Sequence, residues 1–172
     1  MTPEQLLKIA PSCMPRNAAV YAPILTTEMQ LHDVSTPLRI CHFLAQILHE
    51  SGCLNYVEEI ASGKAYEGRK DLGNTMPGDG VRFKGRGLIQ ITGRANYASI
   101  SKAFNIDCVN HPELLEQPDN AVKSAIWFWN SRNLNRYADA DDLFTITRRI
   151  NGGTNGFADR KQLLINAKLI IK

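Results

Sequence analysis

Hydrophobic residues recur along much of the chain at the three- and four-residue spacing of an amphipathic helix. The clearest case follows Thr36 and Pro37, where apolar side chains occupy positions 40, 43, 44, 47 and 48. Gly52 then stands where helices commonly end, so the pattern predicts a helix that begins at Thr36-Pro37 and stops before this glycine. Similar patterns predict further helices at about 2–9, 18–31, 94–104, 120–131, 142–150 and 158–171.

The middle of the chain has a different character. Residues 55–87 are rich in glycine and in charged residues, and they contain few aliphatic ones. A loop of this length inside a compact domain is usually functional or disordered. If residues 85–93 are extended, two isoleucines point to one side of a strand, while Gln90 and Thr92 point to the other.

Length and composition bound the class of protein. The chain has 172 residues, 44% of them hydrophobic, which is enough for one sizeable core without disulfides or a structural metal. We therefore expect residues 1–172 to form a single domain of two lobes, with no separate binding domain. The net charge of +3 excludes a polyanion-coating protein, and no nucleic-acid partner is expected.

The termini and apolar runs bear on location. No run of 18 apolar residues exists, so we expect no membrane insertion. The first residues lack the basic segment and apolar stretch of a signal peptide. We expect the chain to remain in the cytoplasm after synthesis until it is released.

Cysteine and histidine offer little metal chemistry. Cys13, Cys41, Cys53 and Cys108 form no CxxC pair, so we expect them to be reduced and to pack as small apolar residues. The histidines at 42 and 49 share a helix face but lack a third ligand nearby, which makes a zinc amidase site a weak interpretation. We expect both histidines to be solvated, and neither a metal nor another cofactor to be needed.

Glu50 is the first candidate for proton transfer. It falls beside Phe43 at the edge of the apolar stripe and lies in the last turn of its predicted helix. The negative end of the helix dipole and partial burial both act to raise the pKa of this carboxyl group. A general acid is one interpretation, and a frayed, solvated glutamate is the other.

Further polar residues lie nearby in the sequence. Glu58 and Glu59 open the polar stretch, and two carboxylates in different environments are what glycosidic hydrolysis requires. A solvated acidic pair is the alternative. On an extended strand, Gln90 and Thr92 would present an amide and a hydroxyl to a sugar or a water, although a plain edge strand gives the same pattern. Asn151 and the two glycines after it are typical of a helix C-cap.

Taken together, these segments resemble family 19 glycoside hydrolases, and in particular the short chitinase-like endolysins of bacteriophages and prophages. The similarity runs from about Thr36 to Arg160, in the same order along the chain. The most specific part is a Gly-Arg-Gly-x-Ile-Gln-x-Thr run followed by Asn-Tyr. The segments are residues 45–52 (AQILHESG), 66–69 (YEGR), 71–74 (DLGN), 78–80 (GDG), 85–97 (GRGLIQITGRANY) and 150–153 (INGG).

The resemblance implies a mainly α, lysozyme-like bilobal fold, with a long polar loop or a small β-hairpin beside the catalytic cleft. It implies inversion at the anomeric carbon, with Glu50 as general acid, Glu59 as general base and Thr92 holding the attacking water. The choice of Glu59 over Glu58 stays open, because the two carboxylates are closer in sequence here than in plant chitinases. The resemblance also implies a set of residues that line the sugar subsites, namely His49, Tyr66, Gln90, Asn96, Asn151 and Arg160.

Several functions remain compatible with this resemblance. The first is a monomeric endolysin that hydrolyses the β-1,4 bonds of bacterial peptidoglycan and reaches the wall through a holin-type pore. The second is a chitinase that acts on N-acetylglucosamine polymers, and the third is a non-catalytic wall-binding module of the same fold. A lytic transglycosylase, which uses one essential acid, is a further alternative.

Overall fold

A computed structural model describes residues 1–172, and helices account for most of the chain. Single turns of 3₁₀ helix lie at Lys64–Tyr66, Lys70–Leu72 and Pro112–Glu116. The mainly helical, lysozyme-like fold expected from the sequence is confirmed. The α-helices are α1 (Pro3–Ile9), α2 (Pro15–Leu31), α3 (Pro37–Glu50), α4 (Asp79–Arg82), α5 (Arg94–Phe104), α6 (Pro118–Ser131), α7 (Asn135–Asp139), α8 (Leu143–Asn151) and α9 (Phe157–Ile170).

Local sequence signals explain where the main helices begin and end. Thr2 caps α1 in a capping box with Gln5, and the Thr36 side chain accepts a hydrogen bond from the Arg39 amide at the start of α3. At the other end of α3, Gly52 has a φ of 54°, the left-handed conformation that favours glycine. The predicted helices therefore exist, although α2 and α6 each begin two or three residues earlier than predicted, at a proline.

The larger lobe is built around α3. This helix is buried along the continuous run from Cys41 to Leu48, and it packs against α9 and α7. The Phe43 ring meets the Trp129 ring of α6 edge to face, with centroids 5.4 Å apart. Because α3 is enclosed on so many sides, its last turn, which carries Glu50, is held in a fixed position.

The smaller lobe is formed by residues 55–104, and it is more ordered than the predicted loop. Glu67 accepts hydrogen bonds from the amides of Gly78 and Gly80 at 2.7 and 2.8 Å, which ties the segment to α4. Phe83 and Tyr97 are fully buried and pack together with ring centroids 5.1 Å apart. Side-chain contacts of this kind replace regular strands as the source of order in this lobe.

Residues 85–93 do not form the extended strand that would place the Gln90 and Thr92 side chains on one face. Residues 87–90 form a turn, flanked by an antiparallel bridge between Arg86 and Ile91. Leu88, Ile89 and Ile91 are all buried, so the apolar residues do not divide between two faces. A second bridge joins Glu58 to Arg86. Of the two expected alternatives, a long polar loop or a small β-hairpin, the hairpin is represented only by these isolated bridges.

The expectation that both histidines are solvated is wrong for His42. Its side chain is fully buried, with Nε2 placed 2.7 Å from the carboxylate of Asp141. Burial lowers the pKa of His42, and the hydrogen bond to Asp141 opposes that change. The four cysteines are free, and Cys13, Cys41 and Cys108 are buried as expected. No helix is both long enough and apolar enough to span a bilayer.

Candidate active site

Glu50 is the last residue of α3, and its side chain is 20% exposed. Its Oε1 atom accepts a hydrogen bond of 2.5 Å from Nη2 of Arg160 on α9. Arg160 was expected to line a sugar subsite, yet it is only 1% exposed and has almost no surface to offer a ligand. Its contacts indicate that Arg160 positions the Glu50 side chain from the interior of the protein.

The Arg160 guanidinium is held by a second buried residue. Gln46, one turn before Glu50 on α3, accepts a hydrogen bond of 2.5 Å from Nη1 of Arg160. The Gln46 amide donates in turn to the Thr147 hydroxyl of α8 at 3.4 Å. Glu50 is therefore fixed by α9, through a network that also reaches α8.

Glu59 lies across from α3, in the smaller lobe. One carboxylate oxygen accepts from the Tyr66 hydroxyl and the other from the Gly85 amide, each at 3.0 Å. The Glu59 amide donates back to the Gly85 carbonyl oxygen at 2.8 Å. Burial, together with the hydrogen bond to Glu59, raises the pKa of Tyr66, so this phenol remains a donor at neutral pH.

Glu58 has different partners from its neighbour. Its carboxylate pairs with the ammonium of Lys84 at 2.9 Å and with the guanidinium of Arg86 at 3.4 Å. Sequence reasoning did not single out either cation, although they flank Gly85 and so face the same side of a short extended segment. Glu58 is engaged by two positive charges, whereas Glu59 is held by neutral donors.

Glu50 and Glu59 line one surface depression of about 330 Å³. The two carboxylates come from different lobes, and their partners differ in charge. Two such groups around one open space can act as a proton donor and a proton acceptor toward a bound ligand. The lining consists of Glu50, Tyr56, Glu58, Glu59, Ile60, Ala61 and Gln90.

Hydrogen bonds connect three of the predicted site residues, Gln90, Thr92 and Asn96, at the end of the turn formed by residues 87–90. The Thr92 hydroxyl donates to the Gln90 carbonyl oxygen at 3.0 Å, and the Asn96 amide donates to the Thr92 carbonyl oxygen at 2.8 Å. The Gln90 side chain donates to the Gly87 carbonyl oxygen at 3.1 Å. Among the three, Gln90 lines the depression with Glu50 and Glu59.

His49 and Asn151 lie on the α8–α9 side of Glu50. His49 Nδ1 is 2.6 Å from the carboxylate of Asp159, and its ring packs so closely over Gly156 that any Cβ there would collide with it. The Asn151 side chain accepts from the Gly153 amide and donates to the Asn155 carbonyl oxygen. Asn155 also accepts a hydrogen bond from Arg160, which connects the end of α8 with the Glu50 network.

The polar groups of the site form no cluster of metal ligands. No group of three or more histidine, cysteine, aspartate or glutamate side chains is arranged to hold a metal ion. The carboxylates of the site can transfer protons, and its amides and hydroxyls can form hydrogen bonds with a ligand.

Comparison with known proteins matches the central part of the chain to one family. Residues 39–148 match the family model of glycoside hydrolase family 19, described as chitinase class I. Glu50, Glu59 and Thr92 all fall within the matched residues.

Curated relatives agree with this match. A glycosyl hydrolase family 19 domain-containing protein of Haemophilus influenzae is 38% identical over 105 residues, covering 61% of this chain and 50% of the relative. An endochitinase of Arabidopsis thaliana is 40% identical over 116 residues, covering 66% of this chain and 39% of the relative. The chain thus spans half or less of the length of these relatives.

Solved structures match the fold along almost the whole chain. A bacterial family 19 chitinase superposes with a TM-score of 0.79 at 21% identity, covering 99% of this chain and 94% of that one. Chitinase C of Streptomyces griseus gives a TM-score of 0.78 at 24% identity, covering 99% and 76% respectively. These likenesses show the same fold, and the family match over more than half of the chain establishes that it belongs to glycoside hydrolase family 19.

Proposed function

We propose that this chain hydrolyses β-1,4-linked N-acetylhexosamine glycans with inversion, by general acid and base catalysis. The observation that carries the proposal is the pair Glu50 and Glu59, which line one depression from opposite lobes with different partners. An inverting reaction needs an acid that protonates the leaving oxygen and a base that activates water from the other side. A non-catalytic binding module has no need for such a pair.

In this proposal Glu50 is the general acid and Glu59 is the general base. Glu59 is favoured over Glu58 because neutral donors, Tyr66 and the Gly85 amide, orient it without engaging its charge in an ion pair. Glu58 is instead held in ion pairs by Lys84 and Arg86. Thr92 orients the attacking water, and Arg160 positions Glu50.

The remaining predicted residues surround this pair. We propose that His49, Gln90, Asn96 and Asn151 contribute hydrogen bonds to the sugar subsites, with Tyr66 acting both there and on Glu59. Sugar rings present many hydroxyl and amide groups, so a cleft that binds them needs amides, imidazoles and hydroxyls at its rim. All five side chains are partly exposed, as contact with a ligand requires.

For the substrate we propose bacterial peptidoglycan, and for the biological role a phage-type endolysin. The support is the resemblance of residues 45–52 and 85–97 to endolysins, together with four free cysteines, which suit synthesis in a reducing cytoplasm. In this role a monomeric enzyme remains in the host cytoplasm after synthesis and later reaches the wall through a holin-type pore. Expression in bacteria with and without such a pore tests this part, since lysis should require the pore.

Chitin is the second candidate substrate. The observation in its favour is that relatives and structural neighbours carry chitinase names, among them an endochitinase of Arabidopsis thaliana and chitinase C of Streptomyces griseus. Both substrates contain β-1,4-linked N-acetylglucosamine, so the same two carboxylates serve either reaction.

Mass spectrometry of digests of purified peptidoglycan and of a chitin oligosaccharide tests the proposal. Hydrolysed fragments with free reducing ends from peptidoglycan support the endolysin role, and efficient cleavage of the chitin oligomer alone supports the chitinase. Products with a 1,6-anhydro end indicate a lytic transglycosylase. Release of no fragment from either substrate contradicts the proposal.

A further inference from the structure

Arg148 and Arg149 are exposed at the end of α8, and neither forms an ion pair or a side-chain hydrogen bond. Their contacts are with aromatic rings: the Arg148 guanidinium lies 5.7 Å from the centroid of Phe144, and that of Arg149 lies 4.8 Å from Tyr137. Stacking of this kind orients a guanidinium and leaves its N–H groups free to bind an anion.

The acidic residues of the neighbouring segment already have partners. Asp139 pairs with Arg39 at 2.7 Å, and Asp141 pairs with Lys168 at 2.6 Å. Asp142 caps α8 by accepting from the Thr145 amide at 2.9 Å. Because these three carboxylates are engaged by other partners, they do not pair with Arg148 or Arg149. The two adjacent positive charges therefore face solvent without an acidic partner.

The two arginines line a depression of about 290 Å³ together with Phe144, Thr145 and Gly152. Phe144 is 49% exposed, which is a large apolar surface to leave in water beside two cations. The depression thus offers two guanidinium groups, one hydroxyl and one aromatic ring to a single ligand.

Two routes of contact connect this depression to the candidate active site. In the first, Asn151 adjoins Gly152 and bonds to Asn155, whose carbonyl oxygen accepts from the arginine that holds Glu50. In the second, the Phe144 ring packs edge to face on Phe157 at the start of α9, next to the glycine that supports the His49 ring. These contacts connect the depression to the residues that hold Glu50 and His49.

We propose that Arg148 and Arg149 bind carboxylates carried by the glycan, and so make this enzyme selective for peptide-substituted wall glycan over chitin. Chitin is uncharged, whereas peptidoglycan bears carboxylates on its stem peptides, and guanidinium groups bind carboxylates through paired, charge-assisted hydrogen bonds. This inference rests on the proposed glycan hydrolase function and specifies the chemistry of its substrate.

The test measures binding to insoluble peptidoglycan in a Glu59→Gln background, so that the polymer is not digested. The peptidoglycan is first stripped of phosphate-containing polymers, and one half is then amidated to neutralise its carboxylates. The Arg148→Gln/Arg149→Gln variant is compared with Arg16→Gln/Lys102→Gln, which removes the same charge from two exposed residues without ion-pair partners.

Each exposed contact between a guanidinium and a carboxylate contributes modestly, so we expect the first variant to bind native peptidoglycan about fivefold more weakly. Amidation of the polymer should weaken binding by the Glu59→Gln parent protein to a similar extent. The control variant should keep the parent's preference for native over amidated polymer. Equal losses in both double variants, or a preference that disappears once phosphates are stripped, would overturn the inference. If the Glu59→Gln parent protein binds peptidoglycan but the wild type cleaves neither the native nor the amidated polymer, the proposed function itself fails.

Discussion

The Arg160 guanidinium donates a 2.5 Å hydrogen bond to the Glu50 carboxylate from a position 110 residues further along the chain. Arg160 is nearly fully buried and also bonds to Gln46, whereas Glu50 reaches the surface of the depression. The candidate acid is therefore positioned by a helix, α9, that does not itself line the depression.

Replacing Arg160 with glutamine should lower both stability and activity. The change leaves Glu50 and Gln46 without their shared partner, and removing one member of a buried ion pair costs about 3 kcal/mol. Urea unfolding measures this loss, and kcat on the cleaved glycan should fall as Glu50 loses its fixed position. Arg16→Gln, at an exposed position, is the matched control and should change stability by no more than about 0.5 kcal/mol. A normal kcat for Arg160→Gln would contradict the positioning role.

Glu59→Gln and Glu58→Gln form a matched pair of adjacent substitutions. Loss of a general base typically lowers kcat by about 10²–10⁴-fold, and we expect this for Glu59→Gln. The Glu58 side chain is 42% exposed, and its ion pairs contribute less than about 1 kcal/mol, so Glu58→Gln should retain most activity. Steady-state kinetics on one soluble oligosaccharide compares them, and the reverse ranking would move the base to Glu58.

Gly156→Ala should displace the His49 ring. Gly156 has a φ of 70°, so alanine there carries a backbone cost of about 1–2 kcal/mol in addition to the collision with His49. Gly68 has a φ of 67° and nothing within 4 Å of an added Cβ, so Gly68→Ala carries the backbone cost alone. Thermal unfolding and kinetics should show a larger loss for Gly156→Ala. Equal effects would mean that the His49 contact is unimportant.

The buried His42 should make stability fall as the pH is lowered. Burial lowers its pKa below the ordinary value of 6.5, so the unfolded chain takes up a proton at a higher pH than the folded one does. The free energy of unfolding should therefore decrease from about pH 7 to pH 5, with a slope of at most about 1.4 kcal/mol per pH unit from this group.

His42→Gln should flatten that slope, since it removes the group whose proton uptake differs between the two states. His111→Gln is the control, because His111 is 63% exposed, and it should retain the slope of the wild type. Urea unfolding across the pH range measures both variants. An identical slope in His42→Gln and the wild type would exclude His42 as its source.

The sequence predicted those parts of the fold that depend on local signals. The caps at Thr2 and Thr36 and the apolar spacing of α3 are local features, and the helices form where these features indicate. The pattern at residues 85–93 is ambiguous, because alternating isoleucines are compatible with a strand and also with a turn whose apolar side chains are all buried. Only packing against the rest of the chain distinguishes the two.

The support of the candidate site could not be predicted in the same way. The glutamates were identified because Glu50 ends a helix and Glu59 begins a polar stretch. The contacts of Arg160 with Glu50 and of His42 with Asp141 join positions about a hundred residues apart, and no spacing rule covers such distances. The short helix α7 was also missed, since five residues are too few to show a helical period.

The configuration of the first product tests the central claim most directly. Proton NMR of an oligosaccharide digest, recorded within the first turnovers, shows which anomer forms before mutarotation mixes the two. Inverting hydrolysis of a β-1,4 bond by Glu50 and Glu59 predicts the α-anomer at the new reducing end. Initial formation of the β-anomer would contradict the account, because it requires a nucleophile in place of the water-activating base.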